Sequence, residues 1–126
     1  MLNTVMVIDD SETDLLFARI VLERACVAHR LLLLESAQEA LQLLVGPPAF
    51  AVDLILLDIN MPGMNGFEFL TAYARQCARP VPVVMLSSSP DPADRERACR
   101  HGFVRDFLTK PLSPAAAARL ADRVPA

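Results

Sequence analysis

Short aliphatic runs, each stopped by a polar residue, constrain this chain more than any other feature of its sequence. Thr4–Ile8, Leu31–Leu34, Leu54–Leu57, Val81–Leu86 and Phe103–Leu108 have strand length. Most lack the apolar–polar alternation of a strand with one wet face. They read as strands buried on both sides, as in a parallel sheet sandwiched by helices. Pro82 must then sit near a strand start, where a missing N–H is tolerated. Between the runs lie helical segments. Ser11 to about Cys26 carries Phe17, Ala18, Val21, Leu22 and Ala25 on its expected core face, and Ala37–Leu44 stops at Gly46-Pro47-Pro48. Phe67–Gln76, Asp91 to about His101, and Ala115–Arg123 follow, the last opened by Ser113 as cap and Pro114 in the first turn. Helical connections between parallel strands make right-handed crossovers. The pattern predicts a single doubly wound α/β domain of five strands and five helices.

At 126 residues there is room for one domain, and a 53% hydrophobic composition can fill its core. No stretch approaches the roughly 18–20 apolar residues that span a bilayer, so membrane insertion is not expected. Met1 to Asp10 has no basic region before its apolar run, which argues against secretion. Cys26, Cys77 and Cys99 are scattered, and His29 and His101 do not complete a zinc pattern, so these are thiols of a reducing cytoplasm. The net charge is −3, with both signs interspersed. Arg19 with Arg24, and Arg95, Arg97 and Arg100, read as solvated helix faces rather than a basic stripe, which disfavours direct nucleic-acid binding.

Open α/β sheets bind ligands outside the carboxyl ends of their strands. Those ends carry Asp9 and Asp10 after the first run, Asp58 after the third, Ser87 after the fourth and Lys110 after the fifth. Three converging carboxylates repel one another unless a cation lies among them, and hard oxygen ligands without His or Cys favour Mg²⁺. A lysine and a hydroxyl opposite would complement a phosphoryl group. Singly, each residue has an ordinary explanation: an Asp after a strand is commonly a turn residue, Asp10 or Ser11 caps a helix, and Lys110 is a surface lysine. The weight lies in five of them at matched strand ends.

Four segments carry a resemblance that spans essentially the whole chain. They are Val5-Met6-Val7-Ile8-Asp9-Asp10, Leu56-Leu57-Asp58-Ile59-Asn60-Met61-Pro62-Gly63-Met64-Asn65-Gly66, Pro82-Val83-Val84-Met85-Leu86-Ser87 and Asp106-Phe107-Leu108-Thr109-Lys110-Pro111. In these the chain resembles the receiver domains of bacterial two-component response regulators of the chemotaxis-regulator kind. The resemblance implies a flavodoxin-like sheet of order 2-1-3-4-5 and one receiver domain over residues 1–126. It also implies that Asp58 is the nucleophile, taking a phosphoryl group from a histidine kinase or histidine phosphotransfer protein. Asp10 and Asp58 would bind Mg²⁺ directly, Asp9 through water, and Asn60 through its backbone carbonyl. Lys110 would pair with Asp58 and later with a phosphoryl oxygen. Ser87 would move to the phosphoryl group, Phe107 would be the coupled aromatic switch, and the Lys110–Pro111 peptide would be cis. Three positions depart from the usual pattern: Ser87 stands for Thr, Ser88 for Ala and Phe107 for Tyr. Phe107 also reads simply as a buried strand residue. Asn60 and Ser89, neither bulky nor charged, suggest a self-limiting phosphorylated state.

Leu15, Leu16 and Ile20 lie off the expected core face of the first helix. Leu16 and Ile20, four apart, share a patch. They are either scattered surface residues or a docking site for a kinase helical bundle. The Ser87–Pro92 loop, restricted by Pro90 and Pro92, forms the expected output face with Arg95, Glu96, Arg97, Arg100 and the fifth strand. The downstream protein is not legible, and homodimerisation stays open. Ending at Pro125-Ala126, the chain is expected to be free-standing, with a piece of a longer regulator as the alternative. A phosphorylation-independent module would have lost an acid, the lysine or the hydroxyl. An aspartyl phosphatase would carry an acid where Asn60 stands, and a nucleotide-binding domain would have a Gly-rich loop after its first strand. The expectation is therefore no enzyme, beyond the domain's own Mg²⁺-dependent phosphorylation and dephosphorylation.

Overall fold

The computed structural model describes residues 1–89 and 91–124. The strands are β1 (Leu2–Ile8), β2 (Ala28–Leu34), β3 (Leu54–Asp58), β4 (Val83–Ser87) and β5 (Val104–Thr109). The helices are α1 (Glu12–Arg24), α2 (Ala37–Val45), α3 (Gly66–Gln76), α4 (Pro92–Cys99) and α5 (Pro114–Ala118), followed by a 3₁₀ turn at Leu120–Arg123. One sheet of order β2-β1-β3-β4-β5 contains them, with every pairing parallel. This is the doubly wound flavodoxin-like arrangement expected.

Strand side chains alternate between two cores, as the two-residue period requires. Met6, Ile8, Ile55, Leu57 and Met85 face α2, α3 and Ala98 of α4. Val5, Val7, Leu54, Leu56, Val84 and Leu86 face α1 and α5. Each helix opens on a side chain that accepts an N–H of its first turn: Ser11 from Asp14, Ser36 from Glu39, Asn65 from Glu68, Asp91 from Ala93 and Ser113 from Ala116. Asn65 and Glu68 close a reciprocal capping box. Asp53, before β3, accepts the N–H groups of Asn3 and Thr4 at 2.7 and 3.2 Å, tying together the strand starts.

Several boundaries differ from expectation. β2 starts at Ala28, because pairing with β1 (Leu2↔Ala28, Thr4↔Arg30) carries exposed His29 and Arg30 into an edge strand. β4 starts at Val83 and not Val81, because the Val81 N–H is taken by the Tyr73 hydroxyl at 3.0 Å and Pro82 has none to give. The last helix is not continuous over Ala115–Arg123. It tightens after Ala118, where buried Leu120 seats in the core and Arg123 reaches Asp106 at 2.9 Å.

The core stripe of α1 is Leu15, Ala18, Val21 and Leu22. Phe17, a step of about 100° from Ala18, is 46% exposed instead of buried. Arg97 is not merely solvated, since its guanidinium lies 4.1 Å over the Phe67 ring and links α4 to α3. The restricting role given to Pro90 and the chain end Pro125-Ala126 lie outside the described residues. No helix among the described residues is long and apolar enough to cross a membrane.

Candidate functional site

Parallel register brings the polar strand ends together. Ile8 pairs with Leu57, Asp58 with Leu86 and Ser87 with Thr109, so the carboxyl ends of β1, β3, β4 and β5 form one edge. Backbone bonds hold the residues just past it: the Asp9 N–H donates to Leu34 O at 3.0 Å, and the Lys110 N–H donates to Ser87 O at 2.7 Å. After β3, Ile59 and Met61 turn into the core and leave Asn60 exposed between them. The Gly66 N–H then closes onto Ile59 O at 2.7 Å. A Cβ at Gly66 would stand 2.5 Å from the Asp58 carbonyl oxygen, so only glycine lets the chain pass this close beneath the site. The Lys110–Pro111 peptide is cis, and so is Pro47–Pro48.

Asp9 and Asp58 are buried and Asp10 is exposed. Each offers a carboxylate oxygen, all within 4.8 Å of one another. The Asp9 Oδ1 accepts the Ser11 N–H at 2.9 Å, which aims its other oxygen at Lys110. The Lys110 Nζ lies 2.6 Å from Asp9 Oδ2, 2.9 Å from Asp14 Oδ2 and 3.1 Å from Asp58 Oδ1. Lys110 thus pairs with Asp58, while its two shorter contacts go to Asp9 and Asp14. Asp14 was not singled out from the sequence. The available signal was its position one helical turn beyond Asp10, on a helix that starts at the site.

Burial and the neighbouring Asp9 charge push the Asp58 carboxyl up from 3.8 to about 6, with Lys110 pulling it partly back. Burial acts to lower the lysine's pKa, but hydrogen bonds to Asp9 and Asp14 outweigh it and hold the ammonium above its ordinary range. This donor set suits a hard divalent cation: carboxylates converge, no His or Cys intervenes, and their mutual repulsion is only partly neutralised by one lysine.

Ser87 is buried, and its hydroxyl is engaged within its own loop. It donates to Ser89 O at 2.8 Å and accepts the Ser89 N–H at 3.1 Å. Phe107 is buried on the α2–α3–α4 side of the sheet, opposite Met85. Leu16 and Ile20 are exposed, at 52% and 42%, and Phe17 joins them. A cleft of about 300 Å³ beside this patch is lined by Phe17, Ala18, Leu86, Lys110, Pro111 and Leu112, and reaches the site. Leu15, grouped with them from sequence, is core.

An order 2-1-3-4-5 parallel sheet, with acids, a hydroxyl and a lysine at its carboxyl edge, defines the class of flavodoxin-like phosphosignalling domains. The chain belongs to the response regulator receiver domain family, whose model matches residues 5–122. It is 34% identical over 121 residues to the two-component response regulator ORR6 of Oryza sativa subsp. japonica, covering 95% of this chain and 69% of that protein. It is 31% identical over 128 residues to ORR1 of the same plant, covering 97% of this chain and 55% of that protein, about half its length. A two-component response regulator from Cytophaga hutchinsonii superposes with a TM-score of 0.87 at 26% identity, covering 97% of this chain and 96% of that one. Accepting a phosphoryl group in two-component signalling is the general function of this family, and it is the function of this chain. Receiver domains act with histidine kinases or phosphotransfer proteins.

Proposed function

We propose that Asp58 is the acceptor. Its carboxylate attacks the phosphorus of a phosphohistidine on a kinase or phosphotransfer protein. The P–N bond breaks with its electron pair leaving on the imidazole, and an aspartyl phosphate remains. The observation that carries this reading is a buried carboxylate at the end of the central strand, with Asp9 and Lys110 against it. A carboxyl pushed to about 6 is still mostly ionised at neutral pH and is more basic than an ordinary aspartate. Asp10 and Asp58 would hold Mg²⁺ directly, Asp9 through water and Asn60 through its carbonyl; the bound ion would supply neutralisation of phosphoryl oxygen charge.

Lys110 is within reach of a phosphoryl group on Asp58 and would give it an ammonium N–H. Ser87 must first release Ser89, which couples phosphorylation to the β4–α4 loop. The added charge thereby biases that loop. Phe107 is already turned inward and so suited to report the change to β5 and α4. Helix α4 has Ala98 as its one buried residue and is lightly held to the core. Asn60 and Ser89 are exposed and small, which supports unobstructed water access and a self-limiting signal. Leu16 and Ile20, extended by Phe17, form the docking patch for the phosphodonor. Free thiols at Cys26, Cys77 and Cys99 suit a reducing cytoplasm. The only chemistry is on the domain itself, and output runs through contacts with a downstream protein or a second copy.

Acetyl phosphate with Mg²⁺ should add a phosphoryl mass to the peptide containing Asp58, and Asp58→Ala should abolish it. Labelling that survives the substitution overturns the assignment.

A further inference from the structure

Lys110 donates hydrogen bonds to Asp9 and Asp14, at 2.6 and 2.9 Å, and forms an ion pair with Asp58 at 3.1 Å. It is 14% exposed, so water is a poor substitute for any of them. Both of its hydrogen bonds thus go to carboxylates other than Asp58. A phosphoryl group on Asp58, with roughly two negative charges and three acceptor oxygens, would take over the Asp58 contact and draw the ammonium towards itself at the expense of one of these two bonds. Asp9 is buried and held by the Ser11 N–H, and Asp58 would carry the phosphoryl group itself. Asp14 has neither restraint. Its carboxylate is 45% exposed and accepts no other hydrogen bond among the described residues, and water can take over its solvation when the lysine leaves.

We infer that Asp14 is a positioning residue that competes with the phosphoryl group for Lys110, so phosphorylation releases the first turn of α1. The inference rests on Asp58 being the acceptor and adds to that reading a second route out of the site. Asp14 lies two residues before Leu16 on the helix that bears the exposed Leu16, Phe17 and Ile20. Loss of its tie to Lys110 therefore changes the charge and restraint beside that patch. While tied, Asp14 favours the unphosphorylated state, because the contact must be given up on phosphorylation.

Beryllofluoride titration of the full chain in Mg²⁺ tests this. Asp14→Asn is expected to bind beryllofluoride about two- to fivefold more tightly than wild type, the range for a partly exposed ion pair. Asp14→Glu, which can still reach Lys110, should return the affinity towards the wild-type value. In wild type, the Asp14 carboxylate ¹³C resonance should move on beryllofluoride addition as its ammonium partner leaves. Unchanged or weaker binding by Asp14→Asn, or an unmoved Asp14 resonance, overturns the inference. The Asp14 backbone N–H, not its side chain, bonds to Ser11, so the cap of α1 survives the substitution. A wild-type chain that does not bind beryllofluoride, or binding that persists in Asp58→Ala, would instead remove the Asp58 reading.

Discussion

At the residue scale, Asp58 carries a cost that the ordinary position of an aspartate after a strand does not reveal. Its carboxyl titrates at 3.8 in the unfolded chain and at about 6 when folded. Below the lower value it is protonated in both states and contributes nothing to stability. Between the two, the folded state holds the proton and the unfolded state does not. Above about 6 it is ionised in both, and the folded protein bears the full penalty, on the order of 1–3 kcal/mol. Stability of the metal-free protein should therefore fall through this window as pH rises. Asp58→Asn removes the charge while leaving Lys110 its contacts to Asp9 and Asp14. Urea denaturation without metal should show the variant gaining on wild type between pH 4 and pH 6, and Mg²⁺ should narrow the gap. A wild-type–variant difference that is flat over this range would mean that Asp58 is not strained by burial. Asp9, Asp10, Asp58, Ser87 and Lys110 were all identifiable from their positions at strand ends. The share of Lys110 taken by Asp14 was not: helical spacing puts Asp14 near Asp10, but its pairing with a lysine 96 residues away depends on how α1 packs against the sheet.

At the element scale, α1 and α3 reach the site in different ways. Helix α1 buries Leu15, Ala18, Val21 and Leu22 and leaves Leu16, Phe17 and Ile20 outside. Because the latter are exposed, Leu16→Glu with Ile20→Glu should alter stability by no more than about 0.5 kcal/mol per site. The double variant should lose phosphotransfer from its cognate kinase while labelling by acetyl phosphate stays intact. Loss of both activities would indicate misfolding and remove the docking role. Helix α3 begins where Gly66 passes under the Asp58 carbonyl, and backbone rather than a flexible side chain blocks a Cβ there. Gly66→Ala should cost about 1–3 kcal/mol of overpacking, outweighing the usual gain from replacing a helical glycine. A urea midpoint equal to wild type would show that the loop yields freely. The extent of α5 was misjudged from sequence for a related reason. An Ala-rich segment favours helix throughout, but the seating of Leu120 and the Arg123–Asp106 pair select a tighter final turn.

At the scale of the whole molecule, the two cores lie on opposite faces of one sheet, and the site lies where its strands end. The architecture was legible because aliphatic runs buried on both faces admit few arrangements when helical segments separate them. The edge strand was less so: the polar His29 and Arg30 hide its start until pairing with β1 draws them in. The sequence by itself determined five strands and five helices, their order, and the acids, hydroxyl and lysine at the strand ends, because periodicity and strand termini are local properties of the chain. Tertiary structure alone decided that Phe17 stays outside, that Arg97 lies on Phe67, and that Lys110 divides itself among three carboxylates. Those outcomes depend on distances between elements, which are fixed by packing two helical layers against one sheet and are not written in any single segment.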